Sequence, residues 1–235
     1  TKNRSDGEKK LREKIKCTSF LIGNKKDIYN KLNKHAQLKN LVIPTITMKH
    51  AEEALNFLDS KYSKIVIKPV NGKQGRNVYL IEKTNKTYLV KDHVENKEYS
   101  KEDILKFIGE LLKEKTYLLQ PYIECKTVDD EPYDYRIHIQ RNGNGEWSLT
   151  KMYPRMGDKN SILSNISRGG HTEDINDFLQ KEFSDHSSDV ANMLKTTAFE
   201  VAEYIDSFYK FSIDELGIDL AIDTNGDLWL YEVNA

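Results

Sequence analysis

The chain has 235 residues, with 36 Lys and Arg against 37 Asp and Glu. That length buries a real core as one large domain or two small ones, and the balanced charge lacks the basic excess of a duplex nucleic-acid binder. No apolar run approaches the roughly 18 to 20 residues of a membrane span and no secretory core is present, while two cysteines far apart, Cys17 and Cys125, offer no CxxC pair and point to a reducing cytosol.

Thr1 to Lys16 is polar, with Leu11 and Ile15 one helical turn apart, and reads as a loose arm or a lead-in helix. A short apolar run, Phe20 to Gly23, follows. Asn24-Lys25-Lys26-Asp27 then opens a helical pattern through Ile28, Leu32 and Leu38. Leu41 to Met48 looks extended, with Pro44 inside. Ala51, Leu55 and Leu58 mark another helix.

Ile65-Val66-Ile67-Lys68-Pro69 is a strand ending in a lysine. Val70 to Arg76 is a loop carrying Gly72 and Gly75. Asn77 to Glu82 and Lys86 to Val90 read as two further strands. A glycine loop between antiparallel strands is neither a Walker A loop nor a dinucleotide fingerprint. It is an ordinary hairpin turn, or a flap whose backbone N–H groups can close on phosphate.

Ser100-Lys101-Glu102-Asp103 is a helix N-cap signature, followed by the stripe Ile104, Leu105, Ile108, Leu111 and Leu112. Tyr117 to Gln120 is a buried strand ended by Pro121. Asp134 to Gln140 alternates, Asn142 to Gly145 turns the chain, and Trp147 to Tyr153 returns. If Arg141 faces Glu146, Arg136 lies opposite Lys151. Asp134, Arg136, His138, Lys151 and Arg155 then share one face, with Tyr135, Ile137 and Ile139 on the other. Ser164 to His171 is an irregular polar segment. Glu173 to Glu182 reads as a short helix, and Ser188 caps a long one with the stripe Val190, Leu194, Ala198, Val201, Ile205 and Phe208.

The last twenty-odd residues read as a hairpin turned at Asn225-Gly226, a favoured type I′ pair. A two-residue turn there sets Thr224 against Asp227 and, by counting, Asp219 against Glu232. Ile218, Leu220, Ile222, Trp229, Tyr231 and Val233 would form the core face. Asp219, Ala221, Leu230, Glu232 and Asn234 would form the other. Two carboxylates in a direct cross-strand pair repel. They make sense around a hard cation with Asn234 adding a neutral oxygen, and equally as a solvated outer face. The six histidines show no zinc spacing. Uneven runs of strands and helices give an α+β class with antiparallel sheets.

The parts occur in a telling order. Lys68-Pro69 precedes the glycine loop. Leu119-Gln120-Pro121-Tyr122-Ile123, Asp134-Tyr135-Arg136 and Arg155 follow. Ser164-Asn165-x-x-Arg168-Gly169-Gly170, Gly217-Ile218-Asp219 and Glu232-Val233-Asn234 complete the series. Together they resemble the ATP-grasp superfamily, on the side of glutathione synthetase and the ribosomal-protein glutamate ligases. Asn24-Lys25-Lys26-Asp27 before a Pro-Thr stretch is most similar to the spore-coat-associated YheC/YheD type. The resemblance covers Phe20 to Ala235.

The resemblance implies two α/β lobes clasping a nucleotide, with residues 24–123 as the first lobe, 124–235 as the second and 1–23 as an arm or remnant of a preceding lobe. It implies ATP and two Mg²⁺ ions, with Mn²⁺ as an alternative. Lys25 and Lys68 would contact the α- and β-phosphates. Gly72, Gln74 and Gly75 would belong to the flap. Gln120, Pro121, Tyr122 and Ile123 would be the adenine hinge, with Pro121 in place of the family's common acidic residue. Asp134 would lie near the nucleotide. Arg136, Arg155 and Asn165 would face the γ-phosphate and acyl phosphate, with Arg168 near the acceptor. Asp219, Glu232 and Asn234 would hold the metal. The implied activity is an ADP-forming ligase joining a small-molecule or peptide carboxylate to an amine, in the cytoplasm, with no nucleic-acid or membrane partner. A phosphotransferase on the same scaffold, or a nucleotide-binding structural protein of a spore coat, would carry the same motifs. Few residues precede Lys25 and the chain starts at Thr1, as expected for a piece of a longer protein.

Overall fold

Two alternating apolar runs, one around Ile65 and one around Ile137, become the centres of two separate antiparallel sheets in the computed structural model. The structure describes residues 5–15, 22–60, 62–72, 76–92, 94–159, 170–211 and 213–235.

The first sheet has six strands: β1 (Ile46–Thr47), β2 (Lys64–Pro69), β3 (Tyr79–Lys83), β4 (Tyr88–Lys91), β5 (Asn96–Tyr99) and β6 (Tyr117–Pro121), ordered β1-β6-β2-β3-β4-β5. Ile65 and Ile67 alternate inward from β2 and meet α3 (Glu52–Ser60) and α4 (Lys101–Glu114) in one core with Leu55, Leu58, Ile104 and Ile108. Ser100 caps α4 by accepting from the Asp103 N–H at 3.2 Å. Alternation on β2 turns Lys64, Val66 and Lys68 to the opposite face. The polar strand Asn96–Tyr99 escapes the sequence pattern because it is an exposed edge, where charge blunts pairing with other chains. Leu41 to Met48, expected to be extended, begins at the end of a 3₁₀ turn over Leu38–Leu41, with Val42 in extended geometry and only the two residues of β1 in a strand.

The second sheet is β7 (Tyr133–Arg141), β8 (Trp147–Met156), β9 (Glu215–Ile222) and β10 (Leu228–Asn234), ordered β10-β9-β7-β8. Tyr135, Ile137, Ile139, Ile218 and Leu220 lie fully buried against α5 (Ile175–Phe183) and α6 (Ser187–Asp206). The α6 stripe is Leu194, Ala198, Val201, Ala202 and Ile205; Phe208 falls past the helix end and is 40% exposed. The helix starts at Ser187 with no side-chain cap, so Ser188 is not its cap. A division at residue 123 puts α2 (Lys25–Leu32) in the first lobe. Its apolar face, Ile28, Tyr29 and Leu32, is buried in the core beneath the second sheet. A full capping box between Asn24 and Asp27 fixes where this helix begins. The charged α1 (Asp6–Lys14), with Leu11 exposed, precedes it.

Both second-sheet hairpins depart from the expected registers. Arg141 pairs with Trp147, and after a bulge His138 pairs with Lys151 and Arg136 with Tyr153. Arg136 is therefore two residues from its expected partner. A shift of two preserves side-chain parity, so the shared face of Asp134, Arg136, His138, Lys151 and Arg155 survives. In the last hairpin, Asp223 N–H donates to the Asp227 carbonyl and Ile222 pairs with Leu228. The loop is three residues, Thr224-Asn225-Gly226, with Gly226 at φ +87°, a left-handed position that glycine fills at no steric cost. That moves Trp229 opposite Ala221 and Leu230 opposite Leu220, the reverse of the expected faces. A bulge at Tyr231 then restores the count, and Glu232 stands opposite Asp219.

Candidate functional site

One face of the second sheet carries charge in rows. Across β8, β7, β9 and β10, Tyr153, Arg136, Asp219 and Glu232 lie side by side, and Lys151, His138, Gly217 and Asn234 form the next row. Asp134 pairs with Arg155 one row the other way.

The pairs are close. Arg155 grips Asp134 with two donors, Nε to Oδ1 at 2.7 Å and Nη2 to Oδ2 at 2.5 Å, and reaches Asp219 Oδ2 at 3.0 Å. Such a bidentate pair fixes the guanidinium plane. Arg136 Nη2 donates to Asp219 Oδ2 at 3.0 Å. Its Nε lies 2.5 Å from Asp219 Oδ1 without the alignment of a hydrogen bond. Gly217 makes room for this arginine: a Cβ there would sit 3.1 Å from Arg136 Nη1. Burial pushes the Asp219 carboxyl up to about 6, against the pull of Arg155 and Arg136 and with the help of Asp134.

Glu232 takes a different cation. Lys25, in the first turn of α2, lies 2.8 Å from Glu232 Oε1 and donates to the Gly72 carbonyl at 3.0 Å. Lys68 arrives from the first sheet and donates to the Tyr29 hydroxyl at 2.9 Å. Burial pushes the Lys68 ammonium down to about 8, although Glu232 and Asp219 draw it up. Gln120 is buried and its Nε2 donates to Thr45 Oγ1 at 2.6 Å. In the hinge segment, Pro121 has no N–H and Tyr122 N–H donates to the Lys64 carbonyl at 3.1 Å. Among the described residues, nothing takes the Ile123 N–H.

The structure thus brings Lys25, Lys68, Gly72, Asp134, Arg136, Arg155, Asp219, Glu232 and Asn234 into one region. Gln74, Gly75, Asn165 and Arg168 lie outside the described residues. Sequence reasoning missed Tyr29 and Thr45. Tyr29 carried a usable signal: a phenol on the buried stripe of a helix must find a polar partner.

The donor set fits a divalent ion in one respect and departs in another. Asp219 Oδ1 is buried and makes no aligned hydrogen bond, which leaves a lone pair for a cation, although Arg136 Nε already lies 2.5 Å from it. Among the described residues no three His, Cys, Asp or Glu side chains cluster, so the third oxygen would come from the Asn234 amide. No described helix is long and apolar enough to cross a membrane.

A family model for the YheC/D-like ATP-grasp domain matches residues 14–235. The chain belongs to that family. Two curated Bacillus subtilis (strain 168) relatives are similar to it. The endospore coat-associated protein YheD is 26% identical over 223 residues, 89% of this chain and 48% of YheD. The endospore coat-associated protein YheC is 26% identical over 234 residues, 95% of this chain and 63% of YheC. The chain thus spans from about half to under two thirds of these ATP-grasp relatives. Among solved structures, N5-carboxyaminoimidazole synthetase from Staphylococcus aureus, complexed with ADP, superposes with a TM-score of 0.58 at 14% identity, over 96% of this chain and 48% of that one. D-cycloserine synthetase DcsG gives 0.54 at 15% identity, over 88% and 60%. These likenesses show the ATP-grasp fold, a mixed α+β architecture with antiparallel sheets.

Proposed function

We propose that this domain is an ADP-forming ligase that joins a carboxylate to an amine with ATP. The observation that carries the reading is the Arg136–Asp219–Glu232 row flanked by Arg155–Asp134 and faced by Lys25 and Lys68. It is a dense set of cations and carboxylate oxygens, with no Ser, Thr or Cys among the residues named. Such a site suits phosphoryl transfer, where catalysis is positioning and charge stabilisation.

In this reading Asp219, Glu232 and Asn234 hold Mg²⁺, which neutralises the phosphate oxygens when bound. Lys25 and Lys68 bind the α- and β-phosphates, and Gly72 belongs to the flap with Gln74 and Gly75. Ile123 offers its N–H to adenine. Arg136 and Arg155, with Asn165, steady the charge on the transferring phosphoryl group, and Arg168 serves the acceptor. The substrate carboxylate oxygen attacks the γ-phosphorus as the bond to ADP breaks. The amine nitrogen then attacks the acyl carbonyl, loses its proton, and inorganic phosphate leaves. D-cycloserine synthetase and N5-carboxyaminoimidazole synthetase, whose fold this chain shares, are synthetases by name and lend the class support.

Calorimetry with Mg-ATP on wild type and Glu232→Ala, then an ADP assay over carboxylate and amine pools, tests it. ADP release that needs both substrates together supports the ligase. ADP release with phosphate on a hydroxyl selects a phosphotransferase instead. The coat association of YheC and YheD favours a second reading, a nucleotide-binding structural protein, which binding without turnover would select.

A further inference from the structure

We propose that Tyr29 is a positioning residue that holds the Lys68 ammonium in register with the Glu232 strand. The nucleotide role given to Lys68 rests on the reading above; the hydrogen-bond relay does not.

Three hydrogen-bonding groups from three elements meet at one phenol. Tyr29 donates to the Tyr231 carbonyl at 2.6 Å and accepts from Lys68 Nζ at 2.9 Å. The direction is fixed. A carbonyl only accepts, so the single phenolic proton points to Tyr231 and the oxygen lone pairs are left for donors, the Lys68 ammonium and the neighbouring Gln120 amide. Burial raises the Tyr29 phenol far above its ordinary range, which keeps the proton on it. One of the three Lys68 N–H bonds is thereby committed to Tyr29, which limits where the other two can point.

The partner carbonyl is no ordinary one. Tyr231 is the bulged residue of β10, the extra residue that puts Glu232 across from Asp219. Its side-chain hydroxyl is anchored as well, 3.2 Å from Cys125 Sγ. Tyr29 therefore ties β2 of the first sheet to the bulge of the second. Its own helix packs on the second sheet's core, so the phenol is carried by the lobe that bears Glu232. Nothing in the proposed chemistry uses Tyr29 itself; it acts through Lys68.

Tyr29→Phe and Lys68→Met, singly and combined, test the coupling. Without nucleotide, acetic anhydride labelling of Lys68, followed by peptide mass spectrometry, should be several-fold faster in Tyr29→Phe. With Mg-ATP, Tyr29→Phe should weaken binding about ten-fold in wild type, the worth of one hydrogen bond to a charged group, and change little in the Lys68→Met background. Equal weakening in both backgrounds, or unchanged labelling, overturns the proposal. If Tyr29→Phe melts too low to measure, 3-fluorotyrosine at position 29 keeps the shape and weakens the acceptor; faster Lys68 labelling supports the relay and unchanged labelling overturns it. A wild-type chain that ignored Mg-ATP would overturn the ligase reading, while the labelling would still decide the relay.

Discussion

Asp219 and Glu232 stand directly opposite one another on β9 and β10, and yet they neutralise different cations. Asp219 is held by Arg136 and Arg155, Glu232 by Lys25. The repulsion expected of two facing carboxylates is thus offset on each side, which gives the two acids different consequences when changed.

Glu232→Gln should leave folding almost untouched. The Lys25 pair is largely covered, with side chains 14% and 29% exposed, but Lys25 keeps the Gly72 carbonyl and the new amide oxygen can still accept from it, so the loss should be about 1 kcal/mol. Relief of the cross-strand repulsion returns a similar amount. The melting temperature without ligand should move by no more than about 3 °C. Mg-ATP should no longer raise it as in wild type. A large drop without ligand, or an unchanged Mg-ATP shift, would remove Glu232 from the metal set.

Asp219→Asn should instead cost stability. Arg155 keeps Asp134, but Arg136 loses its charge partner while still largely covered. Breaking a fully buried pair costs about 3–5 kcal/mol, but the residual exposure of Arg136 and relief of the burial cost that pushes the Asp219 carboxyl up bring the expectation to about 1 kcal/mol. Urea unfolding measures it. A cost below about 0.5 kcal/mol would mean that the arginine relaxes freely into solvent.

Binding of Mg-ATP should take up a proton near pH 8. Lys68 is lowered to about 8 by burial, and a bound phosphate would draw it back up. Binding heats measured in buffers of different ionisation enthalpy should diverge at pH 8, where the Asp219 carboxyl, raised only to about 6, is already ionised and contributes no proton. Lys68→Met should abolish the divergence. For the unliganded fold the sign is also fixed. The unfolded chain holds this proton up to the ordinary lysine value of 10.5, so from about pH 8 to 10.5 it binds more protons than the native state. This group's contribution to stability therefore rises with pH across that window.

Gly217→Ala tests the close approach of Arg136. The new methyl would meet Nη1 at 3.1 Å, so the guanidinium must move by a few tenths of an ångström. Alanine also restricts the unfolded chain, worth about 0.4–1 kcal/mol of stabilisation. Stability should therefore change by less than about 1 kcal/mol while turnover, once substrates are in hand, falls several-fold. Unchanged turnover would show that the position of Arg136 is not critical.

Much of the site was legible as side-chain parity. Alternation put Asp134, Arg136, His138 and Arg155 on one face, and the observed register, two residues away, kept them there. In the last hairpin, counting from an assumed two-residue turn paired Asp219 with Glu232. The real loop is one residue longer and the Tyr231 bulge compensates, so the pairing holds while Trp229 and Leu230 exchange faces. Turn signals such as Asn225-Gly226 mark that a chain reverses; they do not count the bulges beyond it.

The sequence alone determined the chemistry available to this domain: which core strands alternate, where Ser100 starts a helix, and which charged residues share a face. These follow from local rules of period and propensity that act within a dozen residues. The tertiary structure decided which charges neutralise one another. Lys25 reaches Glu232, and Tyr29 links Lys68 to the carbonyl of Tyr231, which lies 202 residues from Tyr29 in the chain. No local rule specifies such meetings, because they depend on how two sheets and a helix pack their apolar faces, and packing is a property of the whole chain.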